Sequence, residues 1–358
     1  MRLLGPTISG MARFLAYNQQ EFLDAQYDDS KQRLEAFVHQ YSAIIAAELG
    51  VSTTALEGVA PCTPIQEGMI LRFLESSKSL YCSSFHFELN SDTDVSRLRE
   101  AWKQTQQDVQ ILRARFVPYR DGYAQAILKH DDLVWDEVAC EDEDTSRIMQ
   151  DGFNTWCKDI HELAGPLWKL QLVKSPRRTI LNLNIFHALY DGNSLPLLLE
   201  RVAKRYTGDS FDHGGLTFLE ILPIGPLRRI NAAEKFWTGQ LAELTEHNTI
   251  FPESDSAGSE PLLQIDTING IKEIEPVKTS LQVTEHSVFH ACWLLTLHAH
   301  LSVVPALGIV VSGRALDVPG AEYVIGPLFN TIPSYIRPSS SQTVKDLIRA
   351  CHQYHVDT

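Results

Sequence analysis

The chain has 358 residues, 44% of them hydrophobic, enough to bury a core and to suit two domains or lobes. Lysines and arginines number 31 against 45 acids, a formal net charge of -14, which argues against the basic face a nucleic-acid partner needs. No window approaches the roughly 18 uninterrupted apolar residues of a membrane span, and the N-terminal apolar run is broken by Gly5, Pro6 and Gly10, which makes a poor signal peptide.

Residues 1–29 are mixed and polar and read as a tail or linker. Leu34, Phe37, Val38, Tyr41, Ile44, Ile45 and Leu49 fall at helical spacing over 31–49, and Gly50 stops that helix. In "APCTPIQEGMILRFLESS", Thr63 is a candidate N-cap, Pro64 suits the first turn, and Glu67 sits where the helix dipole favours an acid. "LYCSSFHFEL" alternates like a strand, Asp94 opens the amphipathic helix "DVSRLREAWKQTQQ", and Tyr123–Lys129 is a short strand. "DTSRIMQDGFNTWCKD" reads as helix in spite of Gly152. Leu167–Lys174 and Thr179–His187 both alternate around the turn "PRR", which predicts a hairpin. A helix follows, with Ser194 as N-cap and Pro196 in its first turn.

Pro223–Pro226 looks like the crossing between lobes. "AAEKFWTGQLAEL" is a predicted helix, and Pro252–Pro261 a polar loop. Thr284–Leu301 is expected to be a long, largely buried helix, and "ALGIVVSGR" a buried strand ending at Arg314. Glu322–Pro338 is strand-like, interrupted at Gly326-Pro327, and "TVKDLIRACHQYH" begins a last helix. This order favours α+β lobes over a doubly wound sheet.

Six cysteines at irregular spacing, with no CxxC pair, read as reduced, mostly buried thiols and not as a disulfide framework or zinc site. "NIFHALYDGNSL" (184–195) closes an apolar strand on His187 and then turns through Asp191 and Gly192 into a helix. A lone strand-end histidine is more often hydrogen-bonded and inert than catalytic. A tight strand-to-helix loop can, however, present backbone N–H groups to a developing oxyanion, and an Asp there can orient the loop by pairing with an Arg from elsewhere. Alternation puts His187 on one face with Leu181, Leu183 and Ile185, and Phe186 on the other with Asn182 and Asn184. His286 and His290 have metal-ligand spacing, but no Glu follows His286, so ordinary packing histidines are the better reading. There is no Gly-x-Ser-x-Gly elbow and no phosphate-binding Gly-rich loop.

Four stretches together resemble the condensation domain of nonribosomal peptide synthetases. "PCTPIQEGMI" (61–70), "ILRARF" (111–116), "FHALYDGNSL" (186–195) and "IGPLFNTIP" (325–333) resemble the family's first motif, its LRTxF, its HHxxxDG and its Gly-x-Phe-x-Asn-Thr motifs, in that order. With "LPIGPLRR" and "KFWTGQL", the wording is most similar to fungal ferrichrome-type siderophore synthetases. The resemblance implies an α+β fold of two chloramphenicol-acetyltransferase-like lobes in a V, the second lobe C-terminally truncated. The expected boundaries are 1–54 for a linker and helical lead-in, 55–222 for the N-terminal lobe and 223–358 for a partial C-terminal lobe.

By the same resemblance, His187 matches the motif's catalytic histidine and Asp191 its structural aspartate. Arg314 is its salt-bridge partner across the lobes, Gly192 lends backbone to a thioester oxygen, and Asn330 has a supporting role. Phe186 stands where the motif has its first histidine, and alternation makes it a packing residue on the far face. The implied activity is amide formation between carrier-bound donor and acceptor groups in a cytoplasmic assembly line. No cofactor or metal is bound directly. The substrates ride on 4'-phosphopantetheine arms of partner carrier proteins, and an adenylation domain belongs to the same line. No nucleic acid or membrane is implicated. A truncated, non-catalytic fold that only docks carriers, and a stand-alone acyl-CoA-dependent acyltransferase, are the alternatives.

Overall fold

A computed structural model describes residues 29–76, 79–120, 122–209, 215–228, 231–241, 272, 274–301, 306–314, 316, 318–339 and 341–358. The expected tail over 1–29, except for residue 29, which opens a helix, and the polar loop 252–261 lie outside the described residues. The chain divides into two compact units: unit 1 runs to Arg229 and takes back Val311–Asn330, and unit 2 holds Ile230–Val310 and Thr331–Thr358. The change of unit thus falls after 229, past the expected crossing at Pro223–Pro226.

Unit 1 begins with α1 (29–48), β1 (Leu56–Pro61), α2 (Pro64–Glu75), β2 (Cys82–Leu89), α3 (Val95–Asp108), β3 (Ala114–Tyr119) and β4 (Gly122–Leu128). It continues with β5 (Trp135–Ala139), α4 (Thr145–Asp159), β6 (Trp168–Lys174), β7 (Thr179–Phe186), α5 (Ser194–Thr207) and the short α6 (Phe218–Ile221). β1, β4 and β3 form an antiparallel sheet in the order β1-β4-β3. Tyr41, Ile45 and Ala46 of α1 pack on it with Leu56, Val59, Val117, Ala124 and Ala126. A second sheet has the order β2-β7-β6-β5, antiparallel except for β5 beside β6. The main core joins this sheet to α2, α3 and α5 through Phe73, Trp102, Phe116, Trp168, Leu183, Phe186 and Leu198.

The hairpin expected from the alternating runs is β6–β7. Its polar face is not solvated, because Asn182 and Asn184 are fully buried. Asn182 pairs across with Gln171, over which α4 passes at Gly152. A Cβ on Gly152 would come within 2.6 Å of the Gln171 amide, so the glycine that weakens α4 as a helix lets it approach β6. Arg113, from "ILRARF", is fully buried and structural. Its guanidinium pairs with Glu57 at 2.6 Å and donates to the carbonyls of Gln106, Gln107, Leu128 and Lys129, tying the end of α3 to β4.

Unit 2 contains α7 (Asn231–Leu241), α8 (Ile274–Leu281), α9 (Glu285–Leu301) and α10 (Val344–Asp357). The strands β8 (Leu307–Ser312) and β9 (Phe329–Ser334) pair with each other and carry the chain between the units. Val288, Ala291 and Leu294 pack on Leu347, Ile348 and Cys351. α9 is less buried than its composition suggests: one stripe faces that core, while Phe289 and Trp293 are 46% and 56% exposed. β8 is likewise half-exposed, with Ile309 its only buried residue, and the Gly326-Pro327 break separates a short 3-10 turn (Ala321–Tyr323) from β9. The cysteines are free, but only Cys62, Cys157 and Cys351 are buried and Cys292 is exposed, so burial is less general than expected.

His286 and His290 stack on His355 of α10, and His352 of the same helix lies 3.2 Å from Ser287. His290 Nδ1 lies 3.1 Å from His355 Nε2, His290 Nε2 is 3.2 Å from the Ser334 hydroxyl, and His355 Nδ1 is 3.3 Å from Ser287 Oγ. An N–H···N bond needs one nitrogen bare. Burial first, then the neighbouring imidazoles, pulls both His290 and His355 from 6.5 down to about 4. Between these values an unfolded chain takes up protons that the folded rings refuse, so their stabilising contribution is full above about pH 6.5 and is lost as pH falls toward about 4. Urea unfolding of unit 2, followed by amide exchange in α9 and α10, is expected to show this decline, and His355→Gln to flatten it.

Candidate active site

β7 ends at Phe186, one residue earlier than the alternation suggests, and His187–Leu189 form a 3-10 turn. Phe186 is fully buried and packs against Phe73 of α2 at 5.1 Å and Phe116 of β3 at 6.4 Å between ring centroids. It is a packing residue, pointing away from the polar chemistry. His187 is half-buried. Its N–H donates to the Tyr81 carbonyl at 2.8 Å, and Tyr81 adopts a left-handed φ of 63°, a strained conformation for a residue with a side chain.

The imidazole is fixed by a hydrogen bond and three rings. Nδ1 lies 3.0 Å from the Tyr190 carbonyl. A carbonyl oxygen has no proton to give, so Nδ1 carries the hydrogen and Nε2 of the neutral ring holds the free lone pair. Among the described residues no hydrogen-bond partner stands at Nε2. The Tyr190 ring stacks on the imidazole at 4.6 Å and 18°, Phe329 lies tilted at 5.6 Å, and Tyr81 is edge-on at 6.4 Å.

The turn is held from below by Gln66, a residue the sequence reading passed over. Thr63 and Gln66 form a capping box at the start of α2. The same Gln66 amide, fully buried, donates to the Ala188 carbonyl at 3.1 Å and exchanges hydrogen bonds with Gln125 of β4. The Thr-x-x-Gln spacing signals the cap, but nothing local signals the reach to residue 188.

Asp191 is the joint of the site. It is 3% exposed, and its two oxygens accept four hydrogen bonds. Oδ1 takes the N–H groups of Asn193 at 3.0 Å and Ser194 at 2.7 Å. Oδ2 takes Arg314 Nη1 at 2.5 Å and the Leu328 N–H at 2.9 Å. Ser194 is therefore not the N-cap of α5. Asp191 performs the capping, and the Ser194 hydroxyl returns a bond by accepting the Asp191 N–H at 2.7 Å. The carboxylate wins because it stabilises two orphan N–H groups at the positive end of the helix, where a hydroxyl could satisfy one.

Arg314, whose side chain is 8% exposed, also donates Nη2 to the carbonyls of Val324 at 2.9 Å and Gly326 at 3.1 Å. The predicted pair is present, and both partners lie in unit 1, because Val311–Asn330 returns to it. Gly326 has φ 153°, and a Cβ there would sit 2.2 Å from the Phe218 ring, so no other residue fits. Through these bonds the "GPLF" stretch is fastened to the His187 turn, and Phe329 arrives beside the imidazole. Gly192 is exposed with open space around it, and Asn330, next to Phe329 on β9, is also exposed. Among the described residues no three His, Cys, Asp or Glu side chains are placed to hold a metal ion. Among them, too, no helix is long and apolar enough to cross a membrane.

The mixed sheet-and-helix fold that carries the His187–Gly192 turn is of the chloramphenicol-acetyltransferase-like class. The condensation-domain family matches residues 56–358, and the chain belongs to that family, whose members catalyse amide-bond formation. The chain is 39% identical over 332 residues to the nonribosomal peptide synthetase sidC of Arthroderma benhamiae, covering 92% of this chain and 6% of that protein. It is 34% identical over 363 residues to nonribosomal peptide synthetase 2 of Cochliobolus heterostrophus, covering 99% of this chain and 7% of that protein. It thus spans a small fraction of the curated relatives it matches. Among solved structures, holo T3CT superposes with a TM-score of 0.62 at 21% identity, covering 84% of this chain and 68% of that one. The first condensation domain of the calcium-dependent antibiotic synthetase, in complex with a substrate analogue, superposes with a TM-score of 0.57 at 16% identity, covering 83% and 73%.

Asp191→Ala removes an acceptor from four donors and leaves Arg314 buried without its countercharge. It is expected to cost about 3–5 kcal/mol in denaturant unfolding. Asp191→Asn, which keeps one acceptor oxygen, is expected to cost less.

Proposed function

We propose that this chain is the condensation domain of a fungal-type nonribosomal peptide synthetase that assembles a hydroxamate siderophore of the ferrichrome type. The observation that carries the catalytic part is the hydrogen bond of His187: Nδ1 faces the Tyr190 carbonyl at 3.0 Å and so carries the proton, and no described residue bonds Nε2. The likeness to synthetase sidC and the wording of "LPIGPLRR" and "KFWTGQL" support the siderophore class.

In this reading the acceptor amine attacks the carbonyl carbon of the donor thioester. The N–C bond forms, the C–S bond breaks, and the donor arm leaves as a thiol. His187 Nε2 orients the amine, accepts its proton as charge builds on nitrogen, and returns it to the departing sulfur. Asn193 and Ser194 spend their N–H groups on Asp191. The Gly192 N–H remains for the thioester oxygen as it becomes an oxyanion. Asp191 and Arg314 hold the turn and touch no reacting atom, and Asn330 supports the same rim. Both substrates arrive on 4'-phosphopantetheine arms of donor and acceptor carrier domains, one loaded by an adenylation domain of the same cytoplasmic line.

The test is His187→Ala in the full synthetase module with loaded donor and acceptor carriers. Product formation is expected to fall by about 10²–10⁴-fold, the range of a positioned general base, with carrier binding unchanged. Unchanged transfer would remove His187 from the chemistry. Carrier binding without turnover in the unaltered module would make the domain a docking element only.

A further inference from the structure

We propose that Tyr190, held by Ser83, is a positioning residue that locks the ring plane and tautomer of His187; this rests on the reading of His187 as the base. The backbone bond from Nδ1 to the Tyr190 carbonyl fixes one point of the imidazole. One hydrogen bond leaves the ring free to rock about it. A ring packed face to face removes that freedom, because rotation would drive the imidazole edge into the phenol.

The stack holds only if the ring of residue 190 is itself confined, and burial and Phe85 confine it, with the hydroxyl bond to Ser83 as a further anchor. Tyr190 is 5% exposed. Its hydroxyl donates to Ser83 Oγ at 2.7 Å, and Phe85 stands edge-on to its ring at 5.8 Å. Ser83 and Phe85 both belong to β2, whose ladder with β7 pairs Ser83 with Ile185 and Phe85 with Leu183. The strand beside β7 thus anchors a ring that the chain reaches again only after the 3-10 turn. Burial raises the Tyr190 phenol above its ordinary value, so it stays protonated and remains a donor to Ser83. One residue therefore supplies both constraints on His187: its carbonyl accepts the Nδ1–H, and its ring keeps the imidazole in the one plane where that bond, and with it the tautomer, persists.

The expectation is a division between the ring and the hydroxyl. Tyr190→Phe keeps the stack and loses the anchor, whereas Tyr190→Leu loses both. Long-range proton–nitrogen NMR on the chain with labelled histidine reads the tautomer directly and needs no turnover. Unaltered protein and Tyr190→Phe are expected to show His187 as a single species, Nδ1 protonated and Nε2 bare. Tyr190→Leu is expected to show exchange between two tautomers, with thermal unfolding checking that it folds. In the full module, Tyr190→Leu is expected to lower kcat by more than tenfold with KM within threefold, and Tyr190→Phe to recover most of the loss.

A single, unchanged tautomer in folded Tyr190→Leu would overturn the proposal, as would equal kcat losses in the two variants. The catalytic reading fails separately: His187→Ala would then leave turnover intact whatever the NMR of Tyr190→Leu shows.

Discussion

The carboxylate of Asp191 is the constraint on which the site depends. Four donors from three separate stretches converge on its two oxygens: the start of α5, the guanidinium of Arg314 and the backbone of Leu328. A buried carboxylate is costly to desolvate unless each lone pair is used, and here they are. The same atom set caps a helix and ties a returning chain segment to the strand-to-helix turn. That makes Asp191 the structural residue that decides where the turn and Phe329 sit relative to His187.

The role proposed for His187 needs three conditions: one nitrogen bare, a defined direction for its lone pair, and a ring that does not wander. The Tyr190 carbonyl supplies the first by demanding a proton on Nδ1. The backbone bond from His187 to Tyr81 and the Gln66 support of Ala188 supply the second by fixing the turn. The aromatic surround supplies the third. None involves a charged partner for the imidazole. The orientation comes from neutral hydrogen bonds and packing, and Asp191 is spent elsewhere.

Much of this was legible in the sequence, for physical reasons that can be named. Period-two alternation located β2, β6 and β7, and the 3.6 period with Asp94 located α3, because each element buries one periodic face. Phe186 was placed on the far face by the same alternation. Alternation separates the two faces of β7 but does not say what covers them: Asn182 and Asn184 share a face with Phe186, and that face is buried as well. The expectation for α9 failed, since an apolar composition does not say how much of a helix finds a partner. Ser194 has the position and chemistry of a cap, whereas the carboxylate three residues earlier is the stronger acceptor. Gln66, Tyr190 and Ser83 were silent, because their roles depend on contacts 59 to 122 residues away for Gln66 and 107 residues apart for the Tyr190–Ser83 pair.

The central claim is that one carboxylate joins the α5 start to the 326–329 stretch. Residue-resolved amide exchange on the unaltered chain and on Asp191→Ala tests it most directly. The account predicts that the amides of Asn193, Ser194 and Leu328 lose protection together, and by more than the amide of Leu183 in the neighbouring sheet. If Leu328 kept its protection while Asn193 and Ser194 lost theirs, Asp191 would be a helix cap alone, and the joint described here would be contradicted.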